Sequence, residues 1–397
     1  MTAGHHVVVV GAGYAGLTAA RRLARARGTG ELRVTVVNAD DRFVERIRLH
    51  QLAAGQSLPG RPLADMLRGT GADLVVARVT GIDAGAGTVR VAEGGRLRDI
   101  GYDTLVYAPG SGPYFGSVPG AAEHAHTLAE LTGAEAFRTR ALPDLVRARG
   151  TVLLVGGGLT GIEAAAELAE TRPELRVELV TRDTVGAGLS PRGRRHVRRV
   201  LDRLGVRVRE RCDVTEVRPD GLVLGDGTVL RAGAVVWNAG YQVPDLARRA
   251  GIAVDANGRV LVDGTQRSVS HPDVYAVGDA AKAAGIDGRE LRMACGSALV
   301  MGGTAGSAVA ARRAGRPARP LWFRYLFQCV SLGRRDGVIQ FVRADDTPLP
   351  VVLRGRAAAW FKEGVARAAI AYTRLAGLTP VRGRGAGRAV PARSATR

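Results

Sequence analysis

The pattern of apolar and polar positions near the N-terminus recurs in the middle of the chain. Apolar runs at residues 7–10 and 152–155 each lead into Gly-x-Gly-x-x-Gly and then into an alanine- and leucine-rich stretch with helical spacing. The two copies are VGAGYAGLTAARR at 10–22 and VGGGLTGIEAAAE at 155–167. A second apolar run, VTVVN or VELVT, follows each copy. This order predicts a buried strand, a tight turn and a helix in both places.

The three glycines of each motif have distinct expected roles. The first would allow the turn, the second would let a pyrophosphate approach the backbone, and the third would let the helix pack on its strand. The helix N-terminus would then bind the phosphates. One such motif also occurs in ordinary loops, but two copies with matching strands predict two dinucleotide-binding units. The glycines are Gly11, Gly13 and Gly16 in the first copy and Gly156, Gly158 and Gly161 in the second.

The repeat extends beyond the glycine motif. Each unit ends in an apolar strand, YDTLVYAPGS at 102–111 and AGAVVWNAGY at 232–241, and the second is preceded by hairpin sequences such as LGDGTVL. After both units, SHPDVYAVGDAA at 270–281 places Gly278 and Asp279 at the carboxyl end of a strand, where parallel sheets bind ligands. Asp279 is there either to cap the following helix or to accept hydrogen bonds from ligand hydroxyls.

The charge balance is strongly basic. The formal net charge is +20, and it comes from arginine, since Lys282 and Lys362 are the only lysines. The runs RRLARAR and PRGRRHVRRVLDRLG have helical charge spacing, so we expect solvated helix faces there. The chain has neither a basic stripe interleaved with aromatic residues nor zinc-ligand spacing, so nucleic-acid binding is not expected. Nucleotide phosphates or an anionic lipid surface fit this charge.

Length and cysteine usage indicate the broad class. At 397 residues, with 46% hydrophobic and 24% charged residues, the chain is expected to be a globular protein of two or three domains. Neither a signal-peptide pattern nor a run of roughly 20 apolar residues is present, so we expect a cytoplasmic protein. Cys212, Cys295 and Cys329 form no Cys-x-x-Cys pair and are expected to be small buried residues. No metal site is expected.

Together, the two glycine motifs, the LVYAPG-type strands and VYAVGDAA resemble the flavoproteins with two dinucleotide-binding domains, over about the first 310 residues. Among these flavoproteins, the chain resembles the type II NADH dehydrogenase-like members, because it lacks a thiol pair and contains the C-terminal segment RYLFQCVSLGRRDGVIQF. The resemblance implies an α/β fold with two Rossmann-like domains in series, the glutathione-reductase-like flavoprotein fold, plus a C-terminal α+β segment. It also implies FAD in the first unit and NADH or NADPH in the second, with hydride passing from nucleotide to flavin.

The resemblance also implies domain limits. The FAD-binding domain has two parts, 1–112 and 241–312, around an NAD(P)H-binding domain at 113–240. A C-terminal segment follows at 313–380, and the basic, apolar-poor residues 381–397 are expected to be a disordered tail.

The site residues implied by the resemblance fall into two groups. Around the flavin they are Gly11, Gly13, Tyr14, Ala15, Gly16, Asn38, Ala108, Gly110, Gly278 and Asp279. Around the pyridine nucleotide they are Gly156, Gly158, Thr160, Gly161, Thr181, Arg182, Ala239 and Gly240. Asp279 would hydrogen-bond the ribityl chain of the flavin. Glu163 matches a catalytic position close to the nicotinamide in the family, although an acidic residue is favourable in the first turn of any helix.

The expected ribose-binding positions depart from the usual acidic residue. In the first unit the position is Asn38, whose amide could accept one hydrogen bond and for which Asp40 or Asp41 could substitute. In the second it is Thr181, followed by Arg182. Loss of a carboxylate removes repulsion toward a 2′-phosphate, and a guanidinium offers that phosphate bidentate contacts, so NADPH is favoured over NADH. Arg182 could equally be a solvated arginine at a strand end.

The sequence indicates the electron acceptor less clearly than the two nucleotides. A thiol acceptor is not expected, because NADDRFVERIRLHQLAAG after the first unit's second strand contains no cysteine. Quinone-reducing members carry glutamines after the Val-Gly-Asp motif, whereas residues 292–313 have none. The main hypothesis is an FAD-dependent NAD(P)H dehydrogenase that reduces a quinone or a small organic acceptor. The alternatives are a soluble reductase of a biosynthetic intermediate or of a redox protein docked at Arg192, Arg194 and Arg195, and a nucleotide-binding redox sensor with poor turnover.

A basic amphipathic helix is predicted near the C-terminus, within AAAWFKEGVARAAIAYTRLAG. Such a helix could lie peripherally on the anionic inner face of a membrane, cover the flavin domain, or form a homodimer contact. Its predicted apolar face comprises Trp360, Phe361, Val365, Ala369 and Tyr372.

Overall fold

The structure is a computed structural model that describes residues 4–26, 32–116 and 118–376. The predicted tail at 381–397 lies outside the described residues. The strands are β1 His5–Val10, β2 Leu32–Asn38, β3 Asp73–Val76, β4 Arg78–Asp83, β5 Thr88–Glu93, β6 Arg96–Gly101, β7 Thr104–Tyr107, β8 Gly112–Pro113, β9 Ala125–Thr127, β10 Thr151–Val155, β11 Arg176–Val180, β12 Arg207–Arg209, β13 Val214–Arg218, β14 Gly221–Leu224, β15 Val229–Arg231, β16 Ala234–Trp237, β17 Tyr241–Gln242, β18 Val260–Leu261, β19 Val274–Ala276, β20 Ala281–Lys282, β21 Phe327–Ser331, β22 Gly337–Val342 and β23 Pro348–Arg354. The α-helices are α1 Tyr14–Arg25, α2 Leu49–Ala53, α3 Leu63–Leu67, α4 Ala121–His124, α5 Leu131–Ala136, α6 Leu142–Ala148, α7 Leu159–Thr171, α8 Pro191–Arg203, α9 Leu246–Arg249, α10 Cys295–Arg313 and α11 Gly355–Leu375.

The strand of each glycine motif lies in the middle of a five-stranded parallel sheet. The first sheet has the order β19-β7-β1-β2-β3 and the second the order β12-β11-β10-β16-β9. Val7, Val8 and Val9 of β1 are fully buried. A strand covered on both faces requires a continuous apolar sequence, which explains VVVV and VLLV at these two places. The predicted α/β fold with two Rossmann-like sheets is confirmed.

The chain enters the second sheet and then returns to the first. Strands β8 and β17, at the two crossings, pair antiparallel through Tyr241 and Pro113. Strand β19 then adds parallel to β7 at the edge of the first sheet. In the described part of the chain, three antiparallel sheets of three strands flank the two parallel sheets, and LGDGTVL forms the predicted hairpin between β14 and β15. The predicted domain limits stay predictions.

Helix α10 lies directly on α1 because small residues face the contact. A Cβ atom at Gly302 would lie 2.1 Å from the Ala15 carbonyl oxygen, and one at Gly306 would lie 2.9 Å from the Ala19 carbonyl oxygen. The two backbones therefore approach more closely than larger side chains would allow. This contact places the N-terminus of α10 beside the first glycine motif.

Helix α11 packs on β22 and α1. Its buried residues are mainly small: Ala358, Ala366, Ala369, Ile370 and Thr373. Of the predicted apolar face only Ala369 is buried, and Trp360 is 80% exposed. Close packing on the sheet selects small side chains and leaves the large aromatic residue outside.

The two arginine-rich helices differ in exposure. On α8, Arg192, Arg195 and Arg199 are exposed, as expected for a solvated face. On α1, Arg21 donates a hydrogen bond to the Met66 carbonyl, and Arg22 Nε donates to Ser307 Oγ at 2.9 Å. The expectation of a solvated face on α1 was therefore wrong for these two arginines, because other elements pack over that side.

Replacement of Gly302 by alanine is expected to lower the free energy of unfolding by about 1–3 kcal/mol, because the added Cβ forces α10 away from α1. Chemical denaturation of the flavin-loaded protein measures the change. The control is Gly364→Ala in α11, where a Cβ meets no atom within 4 Å and helix propensity predicts a gain of up to about 1 kcal/mol. Equal effects of the two substitutions would contradict the close-packing argument.

Candidate functional site

A single cavity of about 720 Å³ is shared by the two glycine-motif regions. It reaches from the first motif to the N-terminal turn of α7 and is closed by the C-terminal part of the chain. Its wall contains residues 11–15, 108–111, 277–279, 292–298 and 323–329, with further side chains from α2, α7 and α11.

The first motif has the geometry expected of a phosphate-binding turn. Gly11 has φ +95°, and a Cβ there would lie 2.2 Å from the Ala108 carbonyl oxygen. A Cβ at Gly16 would lie 1.9 Å from the Gly11 carbonyl oxygen. Gly13, at the N-terminus of α1, has open space where its Cβ would be. Two glycines therefore permit tight packing, and the third leaves the free N–H groups of the helix accessible to an anion.

The second motif repeats this geometry. Gly156 has φ +117°, and a Cβ on it would lie 2.9 Å from the Asn238 carbonyl oxygen. A Cβ at Gly161 would lie 1.9 Å from the Gly156 carbonyl oxygen, whereas Gly158 again faces open space. The two sites are thus built alike, at the N-termini of α1 and α7.

Asp279 lies in a polar cluster on the cavity wall. Ser111 Oγ donates a hydrogen bond to its carboxylate at 2.7 Å, and Arg46 Nη1 lies 3.4 Å from the same oxygen. The Asp279 side chain is 17% exposed, so it remains accessible from the cavity. A paired carboxylate with free lone pairs is suited to accept hydrogen bonds from ligand hydroxyls, which is the role predicted for it.

Asn38 is engaged within the first unit. Its Oδ1 accepts a hydrogen bond from the Ala12 N–H at 2.9 Å, and its Nδ2 donates to the Asp40 carbonyl at 2.8 Å. The side chain therefore holds the glycine turn in place. Asn38 also lines the cavity, and its predicted contact with a ribose stays a prediction.

Thr181 and Arg182 differ in orientation. The Thr181 side chain is buried against Gly157, where a Cβ would lie 2.6 Å from Thr181 Oγ1. Arg182 is solvated, with a side chain 77% exposed, and its Nε lies 4.0 Å from the Asp213 carboxylate. Arg182 is therefore the residue of this pair that is available to a nucleotide, although Asp213 offers competing negative charge.

The predicted site residues fall into two spatial groups. Those that line the cavity are Gly11, Gly13, Tyr14, Ala15, Asn38, Ala108, Gly110, Thr160, Glu163, Gly278 and Asp279. Those at the second motif or packed beneath the turns are Gly16, Gly156, Gly158, Gly161, Thr181, Arg182, Ala239 and Gly240.

Glu163 is joined to a lysine that the sequence analysis did not assign to the site. Lys362 Nζ donates a hydrogen bond to Glu163 Oε1, and the Ser331 N–H donates to the same oxygen at 3.0 Å. The side chains of Glu163 and Lys362 line the cavity and are at most 15% exposed. The available signal was the lysine itself, in a chain that uses arginine almost everywhere else.

Tyr241 is a second site residue that sequence reasoning missed. Its hydroxyl lies 2.9 Å from Thr160 Oγ1, at the first turn of α7, and both residues line the cavity. The contact joins the returning crossing strand β17 to the second motif. No local motif indicates this pairing.

The two cavity cysteines have the character of neutral thiols. Burial raises the pKa of the Cys329 thiol to about 12, and burial also raises the pKa of the Cys295 thiol. Because the thiolate is the nucleophile, neither side chain is activated for thiol chemistry. Within the described ranges, no group of histidine, cysteine and acidic residues is arranged to hold a metal ion.

Comparison with known proteins identifies the family. The model of the pyridine nucleotide-disulphide oxidoreductase family matches residues 5–315. The chain belongs to this family. It is 34% identical over 319 residues to the NADH dehydrogenase-like protein Rv1812c of Mycobacterium tuberculosis, an alignment that covers 76% of this chain and 78% of that protein. It is 29% identical over 323 residues to the type II NADH:quinone oxidoreductase Ndh of the same organism, over 72% of this chain and 68% of that one.

A solved structure shows that the fold is shared. NDH2 from Plasmodium falciparum in complex with NADH matches with a TM-score of 0.79, over 94% of this chain and 97% of that chain, at 13% identity. The type II NADH dehydrogenase-like resemblance inferred from the motifs is confirmed, and the protein is an FAD-dependent NAD(P)H oxidoreductase. The residues present fit FAD, since Gly13 is open to a pyrophosphate and Asp279 faces the same cavity.

Replacement of Arg182 by alanine tests the nucleotide preference. If the guanidinium binds a 2′-phosphate, the ratio of kcat/KM for NADPH to that for NADH falls roughly 10- to 150-fold, as expected for a charged hydrogen bond of about 1.5–3 kcal/mol. Steady-state kinetics with both nucleotides measures the ratio. Arg176→Ala, at the opposite end of β11, is the control and leaves the ratio unchanged. An unchanged ratio in the Arg182 variant would exclude this role.

Proposed function

We propose that this flavoprotein is an NAD(P)H:quinone oxidoreductase. The observation that carries the proposal is the shared cavity, which joins the flavin motif and the N-terminal turn of α7 to an aromatic wall. Phe323, Tyr325 and Phe327 line that wall, and Val365 and Ala366 of α11 extend it. A planar, mostly apolar acceptor fits a wall with such a lining.

The polar side chains of the cavity support the same acceptor class. Gln328 is buried on the wall, so the cavity contains a glutamine even though residues 292–313 have none. Its Nε2 donates to Asp346 Oδ1 at 3.0 Å, which fixes the amide. The neutral Cys295 and Cys329 thiols make a disulfide acceptor less suitable.

Different groups have different roles in the proposed reaction. Bound FAD supplies the redox chemistry, accepting hydride from the nucleotide and passing electrons onward. The N-termini of α1 and α7 bind the phosphates, and Asp279 holds the ribityl chain. Lys362 Nζ holds a proton at the cavity wall, and Glu163 fixes that ammonium group in position. The names of the relatives support NADH as a donor, and a preference for NADPH stays a prediction.

Anaerobic stopped-flow measurements test this function. NADH or NADPH is expected to bleach the flavin absorbance, and menadione is expected to restore it rapidly. Restoration only by an iron–sulfur or haem protein would contradict quinone reduction and favour the redox-protein reductase. Slow restoration with every acceptor, with long-wavelength absorbance after nucleotide addition, would favour the redox sensor.

A membrane surface is the proposed source of the quinone, with the protein on the cytoplasmic side. Within the described ranges, no helix is long and apolar enough to cross a bilayer. Beside the cavity, however, Leu326 is 52% exposed and Trp360 is 80% exposed. The ring centroids of Phe327 and Phe361, the residues that follow Leu326 and Trp360 in the chain, lie 5.1 Å apart. Aromatic and aliphatic side chains with nearby arginines are typical of peripheral attachment. A homodimer contact at this surface stays an alternative.

Flotation with anionic vesicles tests the attachment. The wild-type protein is expected to float with phosphatidylglycerol vesicles, and Leu326→Ser with Trp360→Ser is expected to release most of it, because the apolar contacts are lost. Val269→Ser removes an equally exposed side chain elsewhere, 61% exposed, and serves as the control. Wild-type protein that remains unbound would exclude peripheral attachment, and size-exclusion chromatography would then test the dimer.

A further inference from the structure

A chain of buried polar side chains connects Lys362 with Glu167. Lys362 Nζ donates a hydrogen bond to Ser331 Oγ at 3.0 Å. Ser331 Oγ lies 3.4 Å from His50 Nε2, and the same ring nitrogen lies 3.9 Å from a carboxylate oxygen of Glu167. His50 and Ser331 are each 3% exposed, and Glu167 is fully buried. Lys362 of α11 and His50 of α2 line the cavity, whereas Ser331 of β21 and Glu167 of α7 do not.

The far end of this chain lies close to solvent. Gln56 donates a hydrogen bond to one carboxylate oxygen of Glu167. Arg334 Nε and Nη2 lie 3.0 and 2.9 Å from the other oxygen, and the Arg334 side chain is 36% exposed. Glu167 is therefore separated from water by one layer of side chains. The polar chain connects the protein surface with the cavity.

Nucleotide binding does not require this connection. Glu167 follows Glu163 by one turn of α7 but does not line the cavity. Burying a carboxylate is costly unless it is paired, and Arg334 alone would suffice for that. The placement of a neutral histidine between Glu167 and Ser331 adds groups that can take up and release a proton.

The electrostatic surroundings suit a proton path. Burial is the largest cause that lowers the pKa of His50 well below its usual value, and the charges of Lys362, Arg334 and Arg48 act in the same direction. Burial raises the pKa of Glu167, with Glu170 adding to the rise and Arg334 opposing it. His50 is therefore neutral at rest, so one of its ring nitrogens has a free lone pair, while Glu167 holds a proton more readily than an exposed carboxyl does.

The proposed reaction needs one proton from solvent. NAD(P)H supplies two electrons and one proton as hydride, whereas reduction of a quinone to a hydroquinone takes two electrons and two protons. The balance is NAD(P)H + H⁺ + quinone → NAD(P)⁺ + hydroquinone. The additional proton must enter the cavity in every turnover.

We propose that Glu167, His50 and Ser331 conduct this proton from the surface beside Gln56 and Arg334 to Lys362, an inference that rests on the proposed quinone reduction. Lys362 gives its proton to the reduced acceptor in the cavity and is left as a neutral amine. Glu167 passes its proton to His50 Nε2, which passes one through the Ser331 hydroxyl to that amine. Glu167 then takes a proton from water. Only protons move along this path.

The test compares two acceptors in anaerobic stopped-flow experiments on the flavin-loaded Glu167→Gln protein. Menadione takes up protons and electrons, whereas ferricyanide takes up electrons alone. Reoxidation by menadione is expected to slow about 10²-fold, the usual contribution of a positioned proton donor, while reoxidation by ferricyanide keeps its wild-type rate. His50→Gln is expected to behave in the same way, and Glu167→Asp to restore part of the rate.

A matched control and a pH profile separate this role from a structural one. Glu123→Gln makes the same chemical change at an exposed residue of α4, outside the path, and is expected to leave both rates unchanged. Because the raised pKa makes Glu167 a proton carrier only below that pKa, the wild-type menadione rate falls as pH rises through it. Glu167→Gln loses this inflection.

Infrared difference spectra provide a readout that does not depend on turnover. Reduction of the wild-type flavoprotein is expected to change the carbonyl band of a protonated carboxylic acid, with a shift in heavy water. The band is absent from the spectrum of Glu167→Gln and present in that of Glu123→Gln.

Three results would overturn the inference. Wild-type menadione rates and pH profiles in both the Glu167 and His50 variants would exclude the path. Equal slowing with menadione and ferricyanide would show that the substitutions merely damage the fold. Wild-type protein that ferricyanide reoxidises but no quinone does would remove the proposed function itself, and this outcome is recognised without any variant.

Discussion

Close approach of backbone segments at the first glycine motif is the constraint on which the rest of the structure depends. Gly16 brings α1 against the turn at Gly11, and Gly302 brings α10 against α1. Any side chain at these positions would overlap a carbonyl oxygen. The approach leaves the N-terminus of α1 open above Gly13 and places residues 292–298 on the same cavity. The flavin site therefore depends on glycines, whose lack of a side chain lets these backbone segments pack directly on one another.

The second parallel sheet repeats this solution, and the C-terminal part of the chain joins the two. Strands β21 to β23 and α11 bring Ser331 and Lys362 to Glu163 of α7. The ion pair between Lys362 and Glu163 lies in a partly closed cavity, where few water molecules compete with it. Removing one partner would leave the other charge unpaired. The same residues that bind the nucleotide-side helix to the C-terminal segment therefore also set the polarity of the cavity.

Two acidic side chains of this region each contact a guanidinium group. Asp279 contacts Arg46, and Glu167 contacts Arg334. Such networks hold specific geometries, because rearranging one member leaves another unsatisfied.

The sequence by itself determined the two strand–turn–helix units, the family and the residues of the glycine motifs, because these features are encoded by neighbours within a few positions. It also indicated Asp279, which follows its own strand directly. Only the tertiary structure decided that Lys362 and His50 belong to the site, since the Lys362–Glu163 contact spans 199 positions and the His50–Ser331 contact spans 281. It likewise decided which face of α11 is buried. Contacts between distant segments depend on how sheets and helices pack, and a local sequence pattern does not predict that packing.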